Sequence, residues 1–139
     1  MQENQGNKCV FVLDEALPPG LAANTAAVLA LTLGSKVESL LGPDVFDGSG
    51  QRHVGITTVT LPMLRADVET IQRIRDRAVE TEGVLVVDFN DVAQRNKTYQ
   101  DYIQQLGETP ASQLRYLGLA LYGLRASITK LTGSLPLLR

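Results

Sequence analysis

The chain has 139 residues, 44% apolar, 20% charged and 5% aromatic, with 13 Lys and Arg against 15 Asp and Glu. Length and balance of this kind exclude wholesale disorder and a disulfide-stapled miniprotein. They suit a single domain over residues 1–139 that buries roughly 70% of the surface its unfolded chain would expose. A net charge of −2 and a pI near 5.3 argue against nucleic acid as a partner, because phosphate binding draws on a basic surface.

The opening MQENQGN, residues 1–7, reads as a polar tail without the basic and apolar regions of a signal peptide, so a cytoplasmic location is expected. Cys9 to Leu13 is a continuous apolar run of strand formers, the pattern of a strand covered on both faces. Cys9, the one cysteine, has no partner for an internal bridge and is expected to be a buried thiol. Asp14 and Glu15 end the run, and Pro18-Pro19-Gly20 stiffens a turn. Leu21 to Leu33 follows as a helix apolar nearly all round, with Gly34 as its expected stop. It falls short of the ~20 residues that span a bilayer, so no membrane partner is expected.

Gly42 to Gly55 predicts a hairpin with its tip at Asp47-Gly48-Ser49-Gly50 and its arms near Val45-Phe46 and His53-Val54. Ile56 to Leu61 is β-branched and reads as a strand, ended by Pro62. Asp67 is the expected N-cap of a helix carrying Val68, Ile71, Ile74, Ala78 and Val79 on one face, with Gly83 beyond its end. Val84 to Val87 repeats the buried-strand pattern before Asp88. A polar connection, Phe89 to Lys97, leads to a helix over Thr98 to Leu106. Arg115 to Tyr122 then reads as a strand and Leu124 to Leu131 as a helix stopped by Gly133. The alternation predicts a three-layer α/β domain, its sheet mixed because a hairpin sits inside it.

Two buried-type strands thus end in acids, Asp14-Glu15 after the first and Asp88 with Asp91 after Val84 to Val87. If the two strands are parallel neighbours, both acid sets lie at the carboxyl edge, where open α/β sheets hold ligands. The Pro18–Gly20 turn brings a helix N-terminus to the same edge. Acids there can serve as general bases, water-orienting groups or ligand anchors. Asp88 and Asp91 are therefore the candidate catalytic residues, and Asp14, Asn90 and Thr98 candidate ligand contacts; loop-capping roles for the same acids are the competing reading. No tight acidic motif points to Mg²⁺, and His53 has no partner at zinc spacing, so no metal site is expected. G-x-S-x-G, P-loop and dinucleotide fingerprints are absent, and no cofactor is expected. Thr98, Tyr99 and Tyr102 add hydroxyls beside the second acidic loop, which helix capping and core packing explain more simply. Arg115, Arg125, Lys130 and Arg139 read as a solvated face. The apolar Leu135 to Leu138 run leaves a homodimer open.

The strings Asp14-Glu15-Ala16-Leu17-Pro18-Pro19-Gly20-Leu21-Ala22-Ala23-Asn24, Val86 to Gln94 and Leu114 to Gly123, with the closing Leu131 to Leu138, resemble a bacterial family known only as a domain of unknown function. That family is similar in fold to peptidyl-tRNA hydrolase type II, which implies a mixed β-sheet between helices. The hydrolase carries a functional Lys just before an apolar-Ala-Ala-Gln helix start. Gly20 stands where that Lys should be, and Asn24 supplies the amide. Through this resemblance Gly20 and Asn24 join the candidate ligand-binding residues. The expected function is binding of a small-molecule polar ligand between Asp14, the Pro18–Gly20 turn and Asp88 to Asp91. Ester or amide hydrolysis and a non-enzymatic homodimeric module are the alternatives.

Overall fold

The computed structural model describes residues 6–139, so most of the expected polar tail lies outside the described residues. The first apolar run forms β1 (Asn7–Asp14), and the turn after it carries Pro19 into the first turn of α1 (Pro19–Lys36). Proline suits that position because the first helical N–H groups lack intrahelical partners. Gly34 does not stop α1, which runs on to Lys36. An exposed helical glycine costs only about 1 kcal/mol, and the neighbouring Leu33 is buried in the core.

The hairpin forms as expected, β2 (Val45–Phe46) against β3 (Arg52–His53), but as a separate two-stranded ribbon. The Ile56–Leu61 run is not a strand of the main sheet. Its Thr57 bridges Leu41 at the base of the ribbon, and β4 (Met63–Ala66) begins after Pro62. The Pro62 carbonyl accepts the Phe11 N–H at 2.9 Å, which fixes where the ladder beside β1 can start.

Asp67 caps α2 (Val68–Val79) as expected, its carboxylate accepting the Thr70 N–H at 2.8 Å. β5 (Leu85–Asn90) extends past Val87, so Asp88 lies within the strand and not in a loop after it. The polar connection contains a one-turn helix, α3 (Asp91–Arg95), capped by Asn90. Thr98 caps α4 (Tyr99–Glu108). A 3-10 turn over Ala111–Gln113 leads into β6 (Tyr116–Leu124), followed by α5 (Arg125–Thr132) with Gly133 as its C-cap.

The main sheet has the order β4-β1-β6-β5, with β4 parallel to β1 and β6 antiparallel to both β1 and β5. It is mixed because of β6, not because of the hairpin. Cys9, Phe11 and Leu13 face α1, while Val10 and Val12 face α2 and α5, giving three layers and two apolar cores. A bulge between Phe89 and Asn90 of β5 and the facing end of β6 turns Leu117 to the α1 side and Tyr116 to the α2 side.

Gly118 leaves no room for a larger residue on the face toward α1. A Cβ there would stand 2.8 Å from both Leu13 Cδ2 and Thr25 Cγ2, so α1 crosses the sheet in near contact with its backbone. The β4 edge is covered by the chain's own end. Arg65 N–H donates to Pro136 O, Leu138 N–H donates to Met63 O, and Leu64 bridges Leu137. The Leu135–Leu138 run is therefore engaged within the chain through its backbone, with Leu135 and Leu138 packed on the two cores and Leu137 left half exposed. β5 is left as the outer strand at the other edge.

Candidate functional site

β1 and β5 are parallel to each other but not neighbours: β6 lies between them and runs the opposite way. Both acid-bearing ends thus reach one edge of the sheet, with the residue before β6, Arg115, between them. Asp14 is 1% exposed; its Oδ1 accepts the Ala16 N–H at 2.9 Å and its Oδ2 the Arg115 guanidinium at 2.8 Å. Arg115 N–H also donates to Asp91 Oδ1 at 3.1 Å, and Arg115 O accepts the Asp91 N–H at 2.9 Å. Asp91 is further paired with Arg95, one turn along α3, at 3.3 Å. Arg115 therefore belongs to the site's framework and is not simply part of a solvated face. Its partner is 101 residues away in sequence, which no local pattern signals.

Asp88 points toward α2, where Arg75 Nε lies 3.4 Å from its Oδ2. This is an ion pair without an aligned hydrogen bond, because Arg75 Nε is buried and has no hydrogen-bond partner. The Arg75 guanidinium instead stacks over the Tyr116 ring, 5.2 Å from its centroid. Burial raises the Tyr116 hydroxyl pKa above its ordinary value; Arg75 lowers it, and Asp88 and Asp76 add to the rise.

On the other side of the outer strand, α1, β5 and the α3–α4 segment line a solvent-open cavity of about 370 Å³. Its apolar wall comes from Val28, Val87, Phe89 and Ala93, its polar wall from Asp88, Asn96, Lys97, Thr98, Tyr99 and Tyr102. That size and mixture, an apolar surface with a few convergent polar groups, is what small-molecule sites share. Tyr99 and Tyr102 meet edge to face, with ring centroids 5.4 Å apart. Burial is the main cause raising the Tyr102 hydroxyl pKa, with the Asp88 carboxylate and Tyr99 adding to it; the Asn90 side chain works the other way. A proton is therefore held on Tyr102, which can donate one hydrogen bond and accept another.

Several of the polar groups are already engaged. Thr98 Oγ1 accepts the Asp101 N–H, Asn96 donates to Val92 O and Gln105 Oε1, and Thr32, beside the cavity, donates to Val28 O. Asn90 is 2% exposed and accepts the Ala93 N–H at 2.9 Å, so its first role is to cap α3.

Of the candidate residues, the cavity brings together Asp88 and Thr98. Asp14 and Asp91 are joined to each other through Arg115, and Asn90 sits between the two groups. Gly20 and Asn24 stand on the exposed outer side of α1 and do not line the cavity. Val28, Asn96 and Lys97 were missed. Val28 looked like one more apolar helix position, and the other two sat in a stretch read only as a connection. Among the described residues, no group of three or more His, Cys, Asp or Glu side chains converges to hold a metal ion, and no helix is long and apolar enough to cross a membrane.

A solved structure of a protein of unknown function from Agrobacterium tumefaciens superposes with a TM-score of 0.86, covering 95% of this chain and 97% of that one at 17% identity. At that identity the likeness speaks for the fold. A search of curated proteins found no match. The family model described as "Protein of unknown function (DUF2000)" matches residues 7–139, and the chain belongs to that family.

Proposed function

We propose that the protein binds a small polar molecule in the cavity beside β5, in the cytoplasm, with Lys97 and the Tyr102 hydroxyl as its polar contacts and Asp88, held by Arg75 on the α2 side, at its border. The observation that carries this reading is their convergence on an apolar-walled cavity of about 370 Å³ at the carboxyl end of an outer strand. Asn90, Asp91 and Asp14 shape that end of the sheet from behind, through the α3 cap and the Arg115 link. Thermal-shift and ligand-observed NMR screening of amino acids, nucleosides, sugars and small carboxylic acids is the test. At least one class is expected to bind the wild type, and Asp88→Asn or Tyr102→Phe to weaken that binding at least tenfold while the protein stays folded. Failure of every class to bind, or binding indifferent to both substitutions, overturns the reading.

A fold like that of peptidyl-tRNA hydrolase type II is part of the proposal, supported by the mixed sheet between helices. It adds a second reading, ester or amide hydrolysis with Asp88 or Asp91 orienting water. Gly20, where that hydrolase has its Lys, weighs against it. Turnover of peptidyl-tRNA that Asp88→Asn or Asp91→Asn abolishes would establish it; no turnover leaves binding as the function.

A further inference from the structure

The register of the sheet fixes which residues of β5 turn their backbone groups to its outer edge. Phe11 N–H donates to Pro62 O and Glu15 N–H to Ala66 O, on the β4 side, whereas Arg125 N–H donates to Gly6 O where β6 meets the start of β1. The N–H and C=O of one strand residue face the same neighbour, and successive residues alternate. Odd-numbered residues of β1 therefore bond β4, and even-numbered ones bond β6. Ala120, opposite Phe11, is thus free of β1 and bonds Val87 on its other side. By the same alternation Leu85, Val87 and Phe89 bond β6, while Val86 and Asp88 direct their N–H and C=O groups outward. No hydrogen bond among the described residues uses those two donors and two acceptors. Edges are commonly blunted by Lys, Pro or a covering segment. The end of the chain covers β4 in this way, but β5, Leu85–Asn90, carries no such guard.

This open edge borders the cavity. Val87 and Phe89 turn their side chains to the α1 side and form its apolar wall with Val28 and Ala93. Two charged residues line it, Asp88 and Lys97. Asp88 is paired with Arg75, whereas Lys97 enters no ion pair among the described residues. The uncompensated charge at the cavity is therefore a single positive one.

These features select a ligand chemistry. Val86 C=O and Asp88 N–H flank Val87 as an acceptor and a donor, the pair that one residue of an added parallel strand satisfies. A strand in that direction carries its carboxyl end toward α3 and Lys97, which follow β5 in the chain. The residue beside Val87 also shares its face, so its side chain is directed into the cavity. A cation with no partner calls for a carboxylate. Sugars and nucleosides lack this combination of amide and carboxylate. A second copy of β5 would offer Lys97 only an Asp88 already held by its own Arg75.

Building on the cavity as a ligand site, we propose that its ligand is the carboxyl-terminal residue of a short extended peptide with an apolar last side chain. Its N–H donates to Val86 O, its carboxylate accepts from Asp88 N–H and Lys97 Nζ, and its side chain fills the apolar wall. Titration of the isotope-labelled full chain with acetyl-alanyl-leucine and acetyl-alanyl-phenylalanine, into the millimolar range, is the test. In the free protein the Val86 and Asp88 amides should exchange with solvent faster than those of Val87 and Phe89. Bound peptide should shift both and slow their exchange. The matching peptide carboxamide, and the peptide methylated on its last amide nitrogen, should each bind at least about tenfold more weakly. Lys97→Met should weaken the acid to the level of the carboxamide and leave the carboxamide itself unchanged, a split that loss of folding does not produce. Equal affinity of acid and carboxamide overturns the proposal, as does binding that leaves the Val86 and Asp88 amides untouched. A free chain that is already dimeric, with those two amides protected, also overturns it. Binding of sugars, nucleosides or simple carboxylic acids without any peptide overturns it while leaving the cavity a ligand site. Failure of every class overturns both.

Discussion

The Arg115 guanidinium donates to the buried carboxylate of Asp14 at 2.8 Å, tying the end of β1 to the start of β6 across 101 residues of chain. Removing Arg115 leaves Asp14 Oδ2 buried without that donor, and an unsatisfied buried polar group costs about 1–3 kcal/mol. Arg115 is itself half exposed, so water partly replaces it and the lower half of that range is expected. Arg115→Ala should therefore lower the urea midpoint without changing the m-value, and Arg115→Lys should recover part of the loss. An unchanged midpoint in Arg115→Ala would show that the pair contributes nothing to stability.

Gly118 sets how closely α1 approaches the sheet. Adding side chain there drives Leu13, Thr25 and Leu29 outward, and overpacking of this kind costs about 1–3 kcal/mol. Gly118→Ala is expected at the low end, because the atoms it meets are side-chain tips, and Gly118→Val at or above the high end. Chemical denaturation distinguishes the two. Because Val28 of α1 lines the cavity, Gly118→Val should also weaken any ligand found there.

The elements set by local chemistry were legible in the sequence. The unbroken Cys9–Leu13 run gave β1, and the side-chain oxygens of Asp67 and Thr98 marked where α2 and α4 begin. What failed depended on distant parts of the chain. Ile56–Leu61 has strand-forming residues, but the place beside β1 is occupied by Met63–Ala66. The insertion of β6 between β1 and β5 follows from pairing over more than a hundred residues, and with it the role of Arg115. For the site, Asp88 and Thr98 could be named from the acidic loop, whereas Tyr99 and Tyr102 read more simply as packing residues. Val28 and Lys97 could not be named, since only the packing of α1 and α3 on the same edge strand, with α4 against α3, puts them in one cavity.

Cys9 is 4% exposed, and burial pushes its thiol pKa up to about 12. A raised value means that the folded state holds the proton longer than the unfolded one does. The associated stability is fully present below the unfolded thiol's value near 9 and is lost as pH rises through that point toward 12. Denaturation midpoints measured from pH 8 upward should fall more steeply in the wild type than in Cys9→Ala. In the folded protein at pH 8, Cys9 should react with a thiol reagent only as fast as the chain unfolds. Rapid labelling under native conditions would contradict its burial.

Gly55 is the residue on which the geometry of the arm that carries β2 and β3, residues 40–58, turns. A Cβ at this position would collide with the Gly42 carbonyl and lie 2.7 Å from the Pro43 carbonyl, both backbone atoms that no rotamer change can move aside. Gly55→Ala should therefore open the base of the arm, breaking the Gly42–Ile56 hydrogen bond and releasing the Asp44 carboxylate from the Gly55 N–H. The ribbon makes few contacts with either core, so thermal unfolding of the domain should hardly change. Limited proteolysis should cut between residues 42 and 56 in the variant and not in the wild type. Amide exchange should show the same confinement, fast in the arm and unchanged in β1 and β6. Loss of Tm comparable to that of Gly118→Val would show instead that the arm and the sheet unfold as one unit.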